Sequence, residues 1–376
     1  MSERILNPDL GFVKDVINAG GESLKKCYQC ATCSVVCNVS PDDSPFPRKE
    51  MVQAQWGLKE DLFRNPDIWL CHQCSDCTAY CPRGAKPGEV LNAVRKVSIA
   101  EFSAPKFLAD IVNKPAALIP LLAAPLVILL VWSHLLNMGS AAAAVYGSSF
   151  IASGQFKFID PLFGAAAVFA VVMLARGVSK YWNAMSAGLP VAGPKMELGQ
   201  AIGETIRDIL GHERFKKCEV TKARSTAHML VLYSFIGLLV TTLLALTKMI
   251  PEYFALNWST AFVEGLVSAY KIIGAVSGVI LIIGILLVMS NRAKNAPKAG
   301  MGSYYDWLFI SLVAGLGITG LFTELLRLAN TPIAYGMYVA HLMLVFFLFA
   351  YAPYSKMAHM FYRATAMVFA RMTGRM

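Results

Sequence analysis

The chain has 376 residues, 56% of them hydrophobic and 15% charged, with a formal net charge of +10. That is too apolar for an ordinary soluble protein and long enough for about two domains. Residues 1–100 carry 12 Lys/Arg and 12 Asp/Glu, so the whole basic excess falls in 101–376, between apolar spans. There it reports membrane topology and speaks against a nucleic-acid partner, which needs a soluble basic patch.

The opening stretch, MSERILNPDLGFVKDV, has no apolar core of the kind a secretion signal carries. Residues 1–105 are therefore expected to form a cytoplasmic domain. Eight of the nine cysteines fall within it. Thiols stay reduced in that compartment, so clustered cysteines point to metal and not to disulfides. They form two runs, Cys27-x2-Cys30-x2-Cys33-x3-Cys37 and Cys71-x2-Cys74-x2-Cys77-x3-Cys81-Pro82. In this pattern three thiolates wrap one face of a cubane, and the fourth, starting the departing helix, ligates the other cluster. That crossing assigns Cys27, Cys30, Cys33 and Cys81 to one [4Fe–4S] cluster, and Cys71, Cys74, Cys77 and Cys37 to the second. Structural zinc wants one closed set of four ligands, typically as paired C-x2-C units, and suits two complete runs poorly. The first run has Asn38 where the second has Pro82.

Between the runs, Met51, Gln55, Leu58 and Leu62 fall at near-helical spacing, and Val90, Val94 and Val97 continue a helix after the second. His72, inside the second run, reads as a surface residue or a hydrogen-bonding neighbour of the cluster, not as a ligand. No Ser/His/Asp set, P-loop or GxGxxG is present, so the domain is expected to be a relay. Over roughly residues 20–100 these motifs resemble the α-helical ferredoxin of the heterodisulfide reductase C subunit and of succinate dehydrogenase iron–sulfur subunits.

After Pro105 the pattern changes. Six apolar spans are expected at about 116–137, 158–178, 227–248, 267–290, 305–326 and 335–355, each near the roughly 20 residues that cross a bilayer. Nine Lys/Arg lie from Arg176 to Arg224, and Arg292, Lys294 and Lys298 follow span four. Lys356, Arg363, Arg371 and Arg375 follow span six. The alternate loops hold only Lys157, Lys248 and Arg327. The positive-inside rule then puts both termini and the cysteine domain on the cytoplasmic side of the inner membrane. In the inner segment 179–225, Ile202, Ile206 and Ile209 share a helical face, as an interfacial amphipathic helix does. His212 and Cys218 nearby read as surface residues. The expected fold is all-α: a two-cluster ferredoxin domain, 1–105, fused to a six-helix transmembrane haem b bundle, 106–376.

Four of the six histidines, His134, His228, His341 and His359, lie in or near spans, where ionisable groups are costly and functional. Imidazole is the expected axial ligand of a haem held between helices. His341 and His359 stand 18 residues apart, five turns of a single helix, with Pro353 between them. Here the chain resembles the gamma subunit of respiratory nitrate reductase. The resemblance implies that one helix carries two haem ligands and an earlier helix their partners. It pairs His228 with His359 at an inner haem. The family's second histidine on the earlier helix is Leu238 here, which leaves His134 as the partner of His341 at an outer haem. The alternative is a single haem, with His341 lining a quinone pocket. Glu324 and Arg327, at the outer end of span five, are candidates for a quinone contact and equally for an interfacial ion pair. Lys248 and Glu252 face the same side.

The whole chain resembles the C subunit of the quinone-interacting membrane-bound oxidoreductase complexes of sulfate reducers. The resemblance implies soluble flavin and Fe–S partners similar to heterodisulfide reductase A, and menaquinone as substrate. It also implies indirect delivery of electrons to adenylylsulfate reductase. Two other readings stand beside it: a haem-free membrane anchor of an Fe–S relay, and an ion-translocating protein with a redox coupling module.

Overall fold

The computed structural model describes residues 6–135, 156–187, 195–220, 222–254, 260–300 and 302–376, and every regular element among these is helical. The cysteine-rich part is built from short helices: α1 Leu10–Val16, α2 Thr32–Val35, α3 Arg48–Gln55, α4 Lys59–Arg64, α5 Asp67–Leu70, α6 Asp76–Ala79 and α7 Pro87–Phe102. Asp9 caps α1 by accepting from Phe12 N at 2.9 Å. The helical spacing over 51–62 holds only in part, because the chain breaks between α3 and α4 around Gly57, whose φ is +68°. Pro87 opens α7, where a missing N–H costs nothing, and Val90, Leu91 and Val94 turn into the core.

That core is not confined to the first hundred residues. Phe12, Leu24, Met51, Leu62, Trp69 and Val94 are joined in it by Tyr181 and Met185 of α10 (Phe156–Ala187) and by Tyr362, Ala366 and Phe369 of α16 (His359–Met372). Trp69 stacks on Tyr362 with ring centroids 5.3 Å apart. Asp67, fully buried, pairs with Lys49 at 3.4 Å and with Arg375.

The apolar part comprises α8 Lys106–Val112, α9 Leu118–Leu135, α10, α12 Arg224–Phe254, α13 Thr260–Ala299, α14 Tyr304–Leu328 and α15 Ile333–Ala350. Four of these, α10, α12, α13 and α14, are long and apolar enough to cross a membrane, and α8–α9 make a fifth if counted together. Two of the six expected spans are thereby corrected. The first is a bent pair, with a 93° turn between Lys106–Val112 and Pro115–Ile128, where Pro115 cannot continue a helix. The sixth stops at Ala350 and passes through 3-10 turns at Ala352–Tyr354 and Lys356–Ala358 before α16 begins. Pro353 lacks the N–H that a continuing helix needs, and Ser355 is fully extended. His341 and His359 thus sit on two helices, and the five-turn alignment does not exist. Helix α11 (Leu198–Gly211) is amphipathic, and of its three isoleucines Ile209 packs against the core. Ile202 and Ile206 are exposed, while Arg371 of α16 ties Asp208 and Glu204 on its other side.

Candidate electron-transfer centres

The two cysteine runs fold into the same loop. The residues flanking the middle cysteine, Gln29 and Ala31 in one and Gln73 and Ser75 in the other, all have left-handed backbone, with φ of +64°, +69°, +52° and +69°. Four non-glycine residues in that region at matched positions are costly and mark a functional constraint. The conformation turns three successive thiols toward one centre. The run then leaves through a one-turn helix, α2 or α6, and a tight turn that brings the fourth cysteine round: Cys37 N donates to Ser34 O and Cys81 N to Thr78 O, both at 3.4 Å.

The cysteines sort into two cavities by crossing. Cys27, Cys30, Cys33 and Cys81 line one, with Tyr28, Thr32 and Arg48. Cys37, Cys71, Cys74 and Cys77 line the other, with His72, Gln73 and Asp76. Burial, reinforced by Cys27, Cys30 and Cys81, pushes the Cys33 thiol up to about 11. Burial, reinforced by Cys71 and Cys74, pushes Cys37 up to about 12. Burial with Cys71, Cys74 and Cys37 drives Cys77 well above the usual thiol range. Thiols this close do not ionise together unless a cation sits among them, so each donor set suits a multinuclear iron centre. Gln73 N donates to Cys71 Sγ at 3.3 Å and Ala85 N to Cys81 Sγ at 3.4 Å. Such bonds tune cluster potential.

Three histidines share one hydrogen-bonding state. Thr319 Oγ1 gives its proton to Gly315 O at 2.7 Å, so it accepts from His341 Nδ1 at 2.9 Å. His359 Nδ1 donates to Lys356 O. His212 Nδ1 donates to Leu210 O at 3.5 Å, so its Nε2 accepts from His228 Nδ1 at 2.9 Å. In each of His228, His341 and His359 the Nδ1 side is the one held, and among the described residues no hydrogen bond engages Nε2, the nitrogen a ligating imidazole offers. Burial, aided by Lys356, holds His359 down to about 3, so the ring is neutral. His359 lies close to His228. His134, the expected partner of His341, has a side chain outside the described residues.

Sequence reasoning missed two groups. His212 is buried at 3% exposure and orients His228, which overturns its reading as a surface residue. Cys218, also 3% exposed, sits with Cys74 and the Asp76 carboxylate, their ligand atoms within 4.8 Å of one another. Asp76 accepts from Glu219 N and Val220 N at 3.1 and 2.9 Å, which docks this loop on the second cavity. A histidine and a cysteine in an otherwise charged loop were the available signal. His72 is buried beside Phe215, ring centroids 4.6 Å apart, and Phe215 in turn lies 4.9 Å from His228. The second cavity and His228 are thus joined through aromatic contacts. Glu324 and Arg327 pair with each other on one helix at 3.0 and 2.7 Å. The side chains of Lys248 and Glu252 lie outside the described residues.

A family described as a 4Fe-4S dicluster domain matches residues 23–85. The C subunit of the H(2):CoB-CoM heterodisulfide,ferredoxin reductase of Methanothermobacter marburgensis is 35% identical over 101 residues, 26% of this chain and 54% of that protein. A protein of Archaeoglobus profundus, described as like the C subunit of heterodisulfide reductase, is 33% identical over 85 residues, 22% of this chain and 45% of that one. The chain spans about half the length of these curated relatives. Citrate utilization protein B of Escherichia coli is 25% identical over 366 residues, 92% of this chain and 89% of that protein. No solved structure matches. The N-terminal region carries a 4Fe–4S dicluster domain and resembles the heterodisulfide reductase C subunit, and it is joined to four or five helices apolar enough to cross a membrane.

Proposed function

We propose that the chain is the membrane subunit of a quinone-linked oxidoreductase, connecting a menaquinone pool to soluble flavin and iron–sulfur partners like heterodisulfide reductase A. The observation that carries this is that the Cys37/Cys71/Cys74/Cys77 cavity, with His72 in its wall, lies against His212 and His228 at the foot of the apolar helices, with Phe215 between. Cys27, Cys30, Cys33 and Cys81 hold one [4Fe–4S] cluster, and Cys37, Cys71, Cys74 and Cys77 the other. His228 and His359 hold an inner haem b, and His341, with His134, an outer one. Bound there, these groups supply a line of one-electron carriers. The protein's own part is to orient them: His212, Lys356 and Thr319 fix the three imidazoles, and the paired left-handed residues aim the thiols. Glu324 and Arg327 stand at the quinone side, the cysteine domain faces the cytoplasm, and adenylylsulfate reductase receives the electrons indirectly.

Reduced-minus-oxidised absorption and iron and sulfide analysis of the purified chain test this. Quinol-reducible b-type bands with about eight non-haem irons and about eight sulfides per chain are expected. Iron without b-type bands reduces the chain to a haem-free anchor, and neither ends the proposal. A second reading is favoured by the similarity to citrate utilization protein B, which runs nearly end to end. In it the soluble partner oxidises a carboxylic acid and electrons run toward the quinone. Haem reduction by a reduced soluble flavoprotein, but not by quinol, selects that reading.

A further inference from the structure

Four arginines surround the second cysteine run, and none of them meets a carboxylate among the described residues. Arg95 donates to Ile68 O and, at 2.7 Å, to Cys71 O. Arg363 donates to Cys71 O at 3.1 Å and to His72 Nε2. Arg224 donates to Gln73 O, and Arg214 to Val39 O at 2.8 Å. All four are half-buried. Carbonyl oxygens satisfy the donors but cancel no charge. Desolvated charges in folded proteins are paired, and this molecule follows the rule elsewhere: Arg371 meets Asp208 and Glu204, Arg375 meets Asp67, and Lys356 meets Asp306.

The four residues come from α7, the Glu213–Lys217 turn, α12 and α16, and they converge on one cavity. A cubane with four thiolates is a dianion when oxidised and a trianion when reduced. We propose that these arginines are the counter-charge of the second cluster and make it the more easily reduced of the two. This rests on the cluster reading above. Two effects oppose each other here. Burial disfavours the trianion, while nearby cations favour it. The first cavity has its own arginines, Arg48 donating to Gln29 O at 3.0 Å and Arg83 lying 3.8 Å from the Tyr28 ring, but both are exposed. Near-bulk water weakens each of those charges about four-fold relative to a partly buried one. The second cavity also holds one buried carboxylate, Asp76, which accepts from Glu219 N and Val220 N, so four shielded cations less one anion still outweigh two screened cations and decide the order. An electron then rests beside His72 and Phe215, and the exposed Cys30 side becomes the point of exchange with a soluble partner.

The test is EPR-monitored redox titration of the detergent-purified full chain, with iron and sulfide content measured alongside. Arg363→Gln and Arg224→Gln should each move one cubane to lower potential and leave the other in place, and Arg363→Lys should restore it. Two potentials that stay put, or that move together, overturn the proposal. Cys30→Ala gives a measurement that leaves the arginines intact: the cubane that survives should titrate at the higher of the two wild-type potentials, and survival of the lower one overturns it. A wild-type chain with no cubane signal removes the cluster reading itself, a result distinct from signals that are present and unmoved.

Discussion

The two cysteine runs share a backbone and differ in everything around it. Tyr28 in the first, 67% exposed, stands where the second has His72, buried against Phe215. Thr32, whose hydroxyl lies 3.4 Å from Cys30 Sγ, stands where the second has Asp76, which captures the loop at Glu219 and Val220. Eleven residues of local sequence are enough to shape the loop. Apart from Arg95 of α7, what distinguishes the centres comes from chain more than a hundred residues away, so one motif serves two electrostatic environments.

The largest way to break this comparison is to remove a ligand. Cys77→Ala should cost about half the iron, and Cys37→Ala should abolish the same EPR signal as Cys77→Ala, although Cys33 is its near neighbour in sequence. If Cys37→Ala instead matches Cys33→Ala, the crossing is wrong. His228→Ala and His359→Ala should likewise erase one and the same b-type band, and His341→Ala a different one. Trp69→Ala, which empties the stack on Tyr362 beneath the second run, should lower stability by about 3–5 kcal/mol, read as a fall in Tm with the second centre lost first.

A smaller effect is set by pH. Burial, then the neighbouring Asp67, pushes the Glu50 carboxyl up to about 7. The folded state therefore holds this proton more tightly than the unfolded chain does. Its stabilisation is complete below the unfolded carboxylate value and is lost as pH climbs to about 7, some 3 kcal/mol at most. Glu50→Gln should flatten the dependence of Tm on pH in that window. The smallest effects are expected at the orienting groups. Thr319→Val and His212→Ala should each weaken retention of one haem by about 10–100-fold, seen as faster loss on dilution with the bands otherwise unshifted.

The spacing of the two runs led to the same grouping of cysteines that lines the two cavities; which thiols hold iron is left to the cysteine variants above. The amphipathic character of α11 was legible from Ile202, Ile206 and Ile209, but not that Ile209 packs against the core while the other two stay exposed. The break after Ala350 was not: Pro353 was visible, but whether a proline kinks a helix or ends it depends on the packing of Tyr354 and Ser355, both buried. His212 and Cys218 were misjudged because their loop is charged. Its burial arises only from docking on Asp76 and on the runs, contacts of long sequence separation that periodicity does not encode.

The helix that follows the last apolar segment has a consequence for how the molecule comes into being. Tyr362, Ala366 and Phe369 fill the centre of the cysteine-rich part, and Arg371 and Arg375 latch it to Asp208 and Asp67. A nascent chain that has emitted both cysteine runs still lacks the underside of their fold until every apolar helix has been made.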